Sequence, residues 1–120
     1  MGLKNASVQF QRMMDDILRP VFHIANCYID DIIVGTTAEE GDDIFSLHDK
    51  DLREVLEILK EQKLVADISK CRLFVPEVEF CGHILRGGVR RPAPGKLLAI
   101  EKWEVPKTIT ELRSFLGFTN

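Results

Sequence analysis

The stretch NCYIDDIIVG, Asn26 to Gly35, sets two carboxylates, Asp30 and Asp31, side by side between an apolar run ending at Tyr28 and another beginning at Ile32. Adjacent acids repel, and burying either one unpaired costs several kcal/mol, so such a pair needs a compensating cation or an exposed turn. Two further pairs act as controls. Asp15-Asp16 falls on an amphipathic helical pattern and Asp42-Asp43 in a polar loop containing Gly41, where solvated acids are ordinary. Only Asp30-Asp31 is framed by strand-forming residues on both sides. A second cluster carries less: Cys81 and His83 would share one face of a strand and, with Cys71, offer three ligands, but without CxxC spacing they do not make a structural zinc site.

The elements that must position these acids follow from periodicity. Phe10, Met13, Met14, Ile17 and Leu18 repeat at i, i+3, i+4, i+7 and i+8, which predicts a helix from about Ala6 to Arg19, stopped by Pro20, with Met13 and Met14 in the core. The run VFHIANCYIDDIIVGTT is rich in Val, Ile, Phe and Tyr and reads as strand, tight turn, strand with the acids at the tip. After AEEGDD, Ser46 and Asp49 form a candidate capping box. Leu52, Val55, Leu56 and Leu59 then line a helix ending near Lys63. VEFCGHILRGGVRR predicts a second hairpin turning at Gly87-Gly88, and Pro92 and Pro94 mark a connector. A short helix from Lys96 to Trp103 follows, then one capped by Thr108 and Glu111 with Gly117 as a stop signal. The order helix, hairpin, helix, hairpin, helices describes an α+β layer.

Bulk properties narrow the function classes. A chain of 120 residues is at most one domain, and 45% hydrophobic with 29% charged residues is ordinary for a soluble globular chain. No apolar run approaches the ~18 residues of a membrane helix and no signal-peptide pattern opens the chain, so it reads as intracellular and without a membrane partner. Three cysteines, an odd number, read as reduced thiols. The net charge of −3 argues against a generic nucleic-acid binder, yet residues 1–69 carry 7 Lys and Arg against 14 Asp and Glu, while residues 70–120 carry 9 against 5. One half could hold cations and the other could meet phosphates, although a chance asymmetry of solvated faces gives the same numbers.

Five motifs in order resemble the reverse transcriptases of gypsy-type LTR retrotransposons. GLKNASVQFQRMMDD resembles the loop and helix beside the incoming nucleotide, and YIDD the family's Tyr-x-Asp-Asp catalytic hairpin. LKEQKLVADISKCRLF resembles the helix-turn-strand that carries a lysine, VEFCGHIL the hairpin that grips the primer, and KTITELRSFLGFTN the start of the thumb. The resemblance implies a partial palm over residues 1–91 and a connector with the thumb start over 92–120. There are departures: Met1 stands where the family usually has Phe, Ser7 where it usually has Pro, and the loop from Thr36 to Asp51 is long. The chain is also expected to lack the fingers and the family's other catalytic aspartate, as a piece of a polyprotein would.

The resemblance implies nucleotidyl transfer to a primer 3′-hydroxyl with Mg²⁺, or Mn²⁺, two ions roughly 4 Å apart sharing the work. Asp30 is then the metal ligand, Asp31 an outer ligand or electrostatic partner, and Tyr28 a contact to the nucleic acid. Gly2, Lys4 and Asn5, before a helix whose N-terminal end is positive, are implied to face the nucleotide phosphates. Lys70 would protonate or neutralise the leaving pyrophosphate. Phe80, Cys81, Gly82 and His83 would lie beside the primer end, with Gly82 permitting close approach. Arg90, Arg91 and Lys96 read as solvated charges, with contact to the backbone of the duplex as the alternative, and Trp103 as a packing anchor ahead of a base-stacking platform. The implied partners are an RNA or DNA template with its primer, a dNTP, and the rest of the polyprotein: fingers, upstream palm, remaining thumb, RNase H and integrase. The implied location is a cytoplasmic virus-like particle or the nucleus. The alternative reading is a non-catalytic retroelement remnant or a domesticated nucleic-acid-binding scaffold, and a third, a metal-dependent nuclease, lacks a further acid cluster.

Overall fold

The apolar residues of the first segment do form a helix, α1, over Ala6–Leu18, in the computed structural model, which describes residues 5–119. A 3₁₀ turn over Arg19–Val21 follows and accommodates Pro20 at its start, where a missing N–H costs nothing. Only part of the helical stripe is covered. Met14 and Leu18 are buried, whereas Phe10 and Met13 are 36% and 41% exposed. Met13 is therefore not core as its spacing suggested, because the elements packed on α1 cover half the width of the stripe.

Strands β1 (Ala25–Tyr28) and β2 (Asp31–Val34) pair antiparallel with Tyr28 opposite Asp31 and Ala25 opposite Val34. The alternation of β1 sends Ala25 and Cys27 inward and Asn26 and Tyr28 outward. Helix α2, Ile44–Glu61, completes the unit by adding Val55 and Leu59 to a core of Met14, Leu18, Val21, Ala25 and Cys27. Leu56, expected on the same face, is 44% exposed.

The start of α2 corrects the expected capping box. Asp43, not Ser46, is the N-cap: its carboxylate accepts the Ser46 hydroxyl at 2.7 Å and the Phe45 N–H at 3.1 Å, and Asp49 instead pairs with Arg53 at 2.8 Å. Asp43 wins because an extended residue immediately before the helix aims its carboxylate at free N–H groups. The Ser46 hydroxyl and then the backbone N–H bonds hold the Asp43 carboxyl below the usual range. Its contribution to stability is thus complete above that range and is lost as pH falls through the lowered value. The long loop is tied down at its start, where Thr36 Oγ1 donates to Asp51 Oδ2 at 2.8 Å and meets His48 Nδ1, also at 2.8 Å. One hydroxyl proton cannot serve both, so His48 Nδ1 is the donor in the second bond.

These elements belong to one compact unit, Met1–Val75; Pro76–Asn120 forms another. The second unit opens with a three-stranded meander, β3 (Glu77–Phe80), β4 (His83–Arg86) and β5 (Val89–Pro92), which joins the hairpin that the resemblance implied over VEFCGHIL to the one expected at Gly87-Gly88 through a shared strand. Gly87 and Gly88 make the predicted turn, both at positive φ. The other turn lies at Cys81-Gly82, with φ of 52° and 73°, a pattern matching the twist of a two-residue hairpin loop. Pro94 then starts α3, Pro94–Glu101, two residues before the expected Lys96. Thr108 and Glu111 do form the capping box of α4, Ile109–Thr119, with Glu111 N–H donating to Thr108 Oγ1 at 3.1 Å and Thr108 N–H to Glu111 Oε2 at 3.2 Å. Gly117 does not stop α4, which runs through it. Trp103 packs edge-on against Phe115 with ring centroids 5.8 Å apart, the role of an anchor. Among the described residues of this unit only Ala93 is a buried apolar residue.

Val55→Ala, which removes two methyl groups from a site 1% exposed, is expected to lower stability by about 2 kcal/mol. Val65→Ala, at a position 96% exposed, should stay within about 0.5 kcal/mol of the parent. Urea titration followed by circular dichroism measures both, and equal losses would mean that the core is wrongly located.

Candidate active site

The β1–β2 connection is a turn of two residues, Ile29 and Asp30, closed by the Tyr28–Asp31 pair. Ile29 takes φ +54°, a left-handed conformation that a β-branched residue adopts at a cost on the order of 1–3 kcal/mol. Two-residue hairpin turns take a positive φ at this first central position and favour Gly there. The result is a tip on which Asp30 and Asp31 are both exposed and Tyr28, 55% exposed, stands beside them. The alternation of β2 requires this outward placement, since Ile32 and Val34 pack against the core.

The strain at Ile29 has a partner that sequence reasoning missed. The Gln11 side chain of α1 accepts the Ile29 N–H at 2.7 Å and donates to the Cys27 carbonyl at 2.8 Å. A signal was present: Gln11 stands three residues before Met14 and seven before Leu18, so a polar side chain shares the register of the two buried positions of α1.

Negative charge gathers under the tip. The Cys27 thiol is pushed up by burial first, and then by the carboxylates of Asp15, Asp30 and Asp31. Asp30 and Asp31 thus form a field of like charge on a hydrophobic base, open to solvent at the oxygens. Among the described residues no three His, Cys, Asp or Glu side chains gather where they could hold a metal ion by themselves. Two exposed carboxylates are nevertheless a donor set that fits Mg²⁺, which keeps waters and takes the rest of its oxygens from substrate phosphates.

The other expected residues are placed as follows. Asn5 is the N-cap of α1, its carbonyl accepting the Gln9 N–H at 3.0 Å without a side-chain cap. Gly2 and Lys4 lie outside the described residues. Lys70 ends a 3₁₀ turn, Ile68–Lys70, which Asp67 caps, and its ammonium is 3.9 Å from the Asp67 carboxylate. Tyr28, Asp30, Asp31, Asn5 and Lys70 belong to one unit, whereas Phe80, Cys81, Gly82 and His83 are brought together in the other as the β3–β4 turn. Cys81 and His83 do not share a strand face, because Cys81 is a turn residue. The His83 ring instead folds back, Nδ1 donating to the Cys81 carbonyl at 3.0 Å. Gly82 has positive φ for the turn itself, and its carbonyl accepts the Ala93 N–H at 3.0 Å. Arg91 and Arg86 converge on Glu77 at 3.0 and 3.7 Å, which commits Arg91 to an ion pair.

With this geometry in hand, the chain compares as follows with known proteins. The sequence model of a family described as "Reverse transcriptase (RNA-dependent DNA polymerase)" matches residues 1–85. The chain is similar to the retrovirus-related Pol polyprotein from transposon opus of Drosophila melanogaster, 38% identical over 120 residues, covering 99% of this chain and 11% of that polyprotein. It is also similar to the Pol polyprotein from transposon gypsy of the same species, at 33% identity over 99% of this chain and 11% of the relative. Among solved structures it is similar to the foamy viral protease-reverse transcriptase in complex with dsDNA, with a TM-score of 0.70 and 28% identity, covering 100% of this chain and 24% of that one. The chain thus spans about a tenth of the length of the curated relatives it matches.

The raised Cys27 thiol generates a test of the site's electrostatics. At pH 8 iodoacetamide should modify the exposed Cys71 and Cys81 first and Cys27 last, since a raised pKa leaves less thiolate. Asp30→Asn removes one of the charges that raise it, so Cys27 should then react faster. Peptide mass spectrometry reads the three rates, and equal rates at all three thiols would contradict the burial and charge described.

Proposed function

This chain belongs to the reverse transcriptase (RNA-dependent DNA polymerase) family, and on that premise we propose that it supplies the catalytic hairpin of an RNA-directed DNA polymerase of a gypsy-type retroelement, with the primer-facing turn and the start of the thumb. The observation that carries the reading is the exposure of Asp30 and Asp31 on a two-residue turn whose base is buried and whose first central residue is held in a strained conformation. A solvated surface turn would require neither the strain nor the clamp beneath it.

By the family resemblance Asp30, at the tip, would be the direct ligand of a divalent metal and Asp31, the first residue of β2, the outer one. When bound there, Mg²⁺ neutralises the charge of a triphosphate and of the developing alkoxide at a primer 3′-end. The hairpin holds the two carboxylates in fixed relation, Tyr28 offers an exposed ring to the nucleic acid beside them, and Asn5 begins a helix whose free N–H groups suit phosphate oxygens. Lys70 lies 3.9 Å from Asp67, and a surface pair of that kind is worth little, so its ammonium is not locked away from a leaving pyrophosphate. The template and primer, RNA or DNA, and a dNTP are the proposed partners. A structural relative solved with dsDNA supports the first. The bulk of the polyprotein would complete the enzyme.

In the full-length enzyme that carries this segment, Asp30→Asn is expected to lower the chemical step by orders of magnitude while primer–template binding stays largely intact, since the lost oxygen acts on transition-state charge. Rapid-quench extension paired with equilibrium binding measures the two, and near-normal extension would remove the assignment. Lys70→Ala should slow nucleotide addition by ~10- to 100-fold, at or just below the smallest effect usual for a general acid, and unchanged single-turnover rates would return Lys70 to the status of a surface residue.

A further inference from the structure

Three polar groups meet the amide of Gln11, and each accepts only one orientation of it. The Cys27 carbonyl at 2.8 Å and the Asp15 carboxylate at 2.9 Å can only accept, so both face Nε2; the Ile29 N–H at 2.7 Å can only donate, so it faces Oε1. The hairpin leaves these backbone groups free. With Tyr28 paired to Asp31, the backbone of Tyr28 turns toward β2 and that of Cys27 turns away. The side-chain amide therefore satisfies the outer edge of β1 as a peptide unit of another strand would. It does so on both sides of Tyr28, one residue before Asp30.

We propose that Gln11 is a positioning residue: it fixes the strained tip, and with it the Asp30 and Asp31 carboxylates, to the helix whose first turn faces the nucleotide. The role rests on reading the hairpin as a polymerase's catalytic tip, but the clamp itself can be tested without that reading. Because Ile29 is held at φ +54°, loss of the bond to its N–H frees the turn to relax and moves both acids relative to α1. Glutamate cannot substitute for Gln11. It would keep an acceptor for Ile29 but set a carboxylate against the Cys27 carbonyl and against Asp15. A second change, Asp15→Asn, would restore a donor opposite that new carboxylate.

The test has two arms. In the 120-residue chain, amide exchange at Ile29 followed by NMR should accelerate about 10-fold in Gln11→Met, the loss of roughly one hydrogen bond, while Leu59 in the core keeps its protection. In the enzyme carrying this segment, Gln11→Glu should lower kcat for single-nucleotide addition ~10- to 100-fold with little change in KM for primer–template, as expected when only the transition-state geometry suffers. Adding Asp15→Asn to Gln11→Glu should restore part of the loss, which a space-filling role would not. Unchanged Ile29 exchange with Leu59 still protected overturns the clamp. If Gln11→Met instead unfolds the chain, failure of Asp15→Asn to rescue Gln11→Glu overturns it. Faster Ile29 exchange alongside a fully active Asp30→Asn enzyme keeps the clamp and discards the polymerase reading.

Discussion

A β-branched residue forced to φ +54° at the head of a two-residue turn is the constraint around which the first unit is arranged. The two-residue turn keeps Asp30 next to the strand ends, with Asp31 already in β2. Shortness puts Ile29 where glycine would be comfortable, and the strain persists only if the surroundings determine the conformation. They do so from two directions. Cys27 and Ala25 anchor β1 in the core, and the Gln11 amide holds the backbone of Cys27 and Ile29 from the α1 side.

The core is small, and its composition explains why. Among the described residues it holds only Met14, Leu18, Val21, Ala25, Cys27, Val55 and Leu59, and α1 covers the hairpin with Met14 and Leu18 while leaving Phe10 and Met13 partly in water. The second unit goes further, with Leu97, Leu98, Val105, Ile109, Leu112 and Leu116 all substantially exposed and Ala93 alone buried among its described residues. Exposed apolar surface of this extent is uncommon on an independent domain and fits a chain that spans about a tenth of its relatives. The acid-bearing tip therefore rests on the better-packed unit.

Elements with a strong repeat or a strong punctuation were legible in the sequence. The spacing in α1, the acid-bearing hairpin, the Gly87-Gly88 turn and the Thr108–Glu111 box all rest on local chemistry that needs no tertiary information. The misses share a cause, which is competition between local signals. Asp43 and Ser46 both suit an N-cap, and the extended backbone at Asp43 decided between them. Cys81 carried no turn signal of its own and a single Gly82 in a strand pattern also fits a close approach, so the β3–β4 turn was legible through the resemblance of VEFCGHIL to a hairpin and not through its residues alone. At the site, the acids were legible because like charges between strands violate patterning. Gln11 was harder to see, since α1 offers two glutamines, Gln9 and Gln11, and only the packed register shows which one meets the hairpin.

The central claim is that Asp30 touches the metal at which a nucleotide is added. Anomalous diffraction from the full-length enzyme, crystallised with primer–template, an unreactive nucleotide and Mn²⁺, tests it most directly. The account predicts a manganese peak at direct coordination distance, ~2 Å, from an Asp30 carboxylate oxygen with nucleotide phosphate oxygens on the same ion. A fully occupied nucleotide site whose manganese lies elsewhere, with the Asp30 carboxylate in solvent, would contradict it.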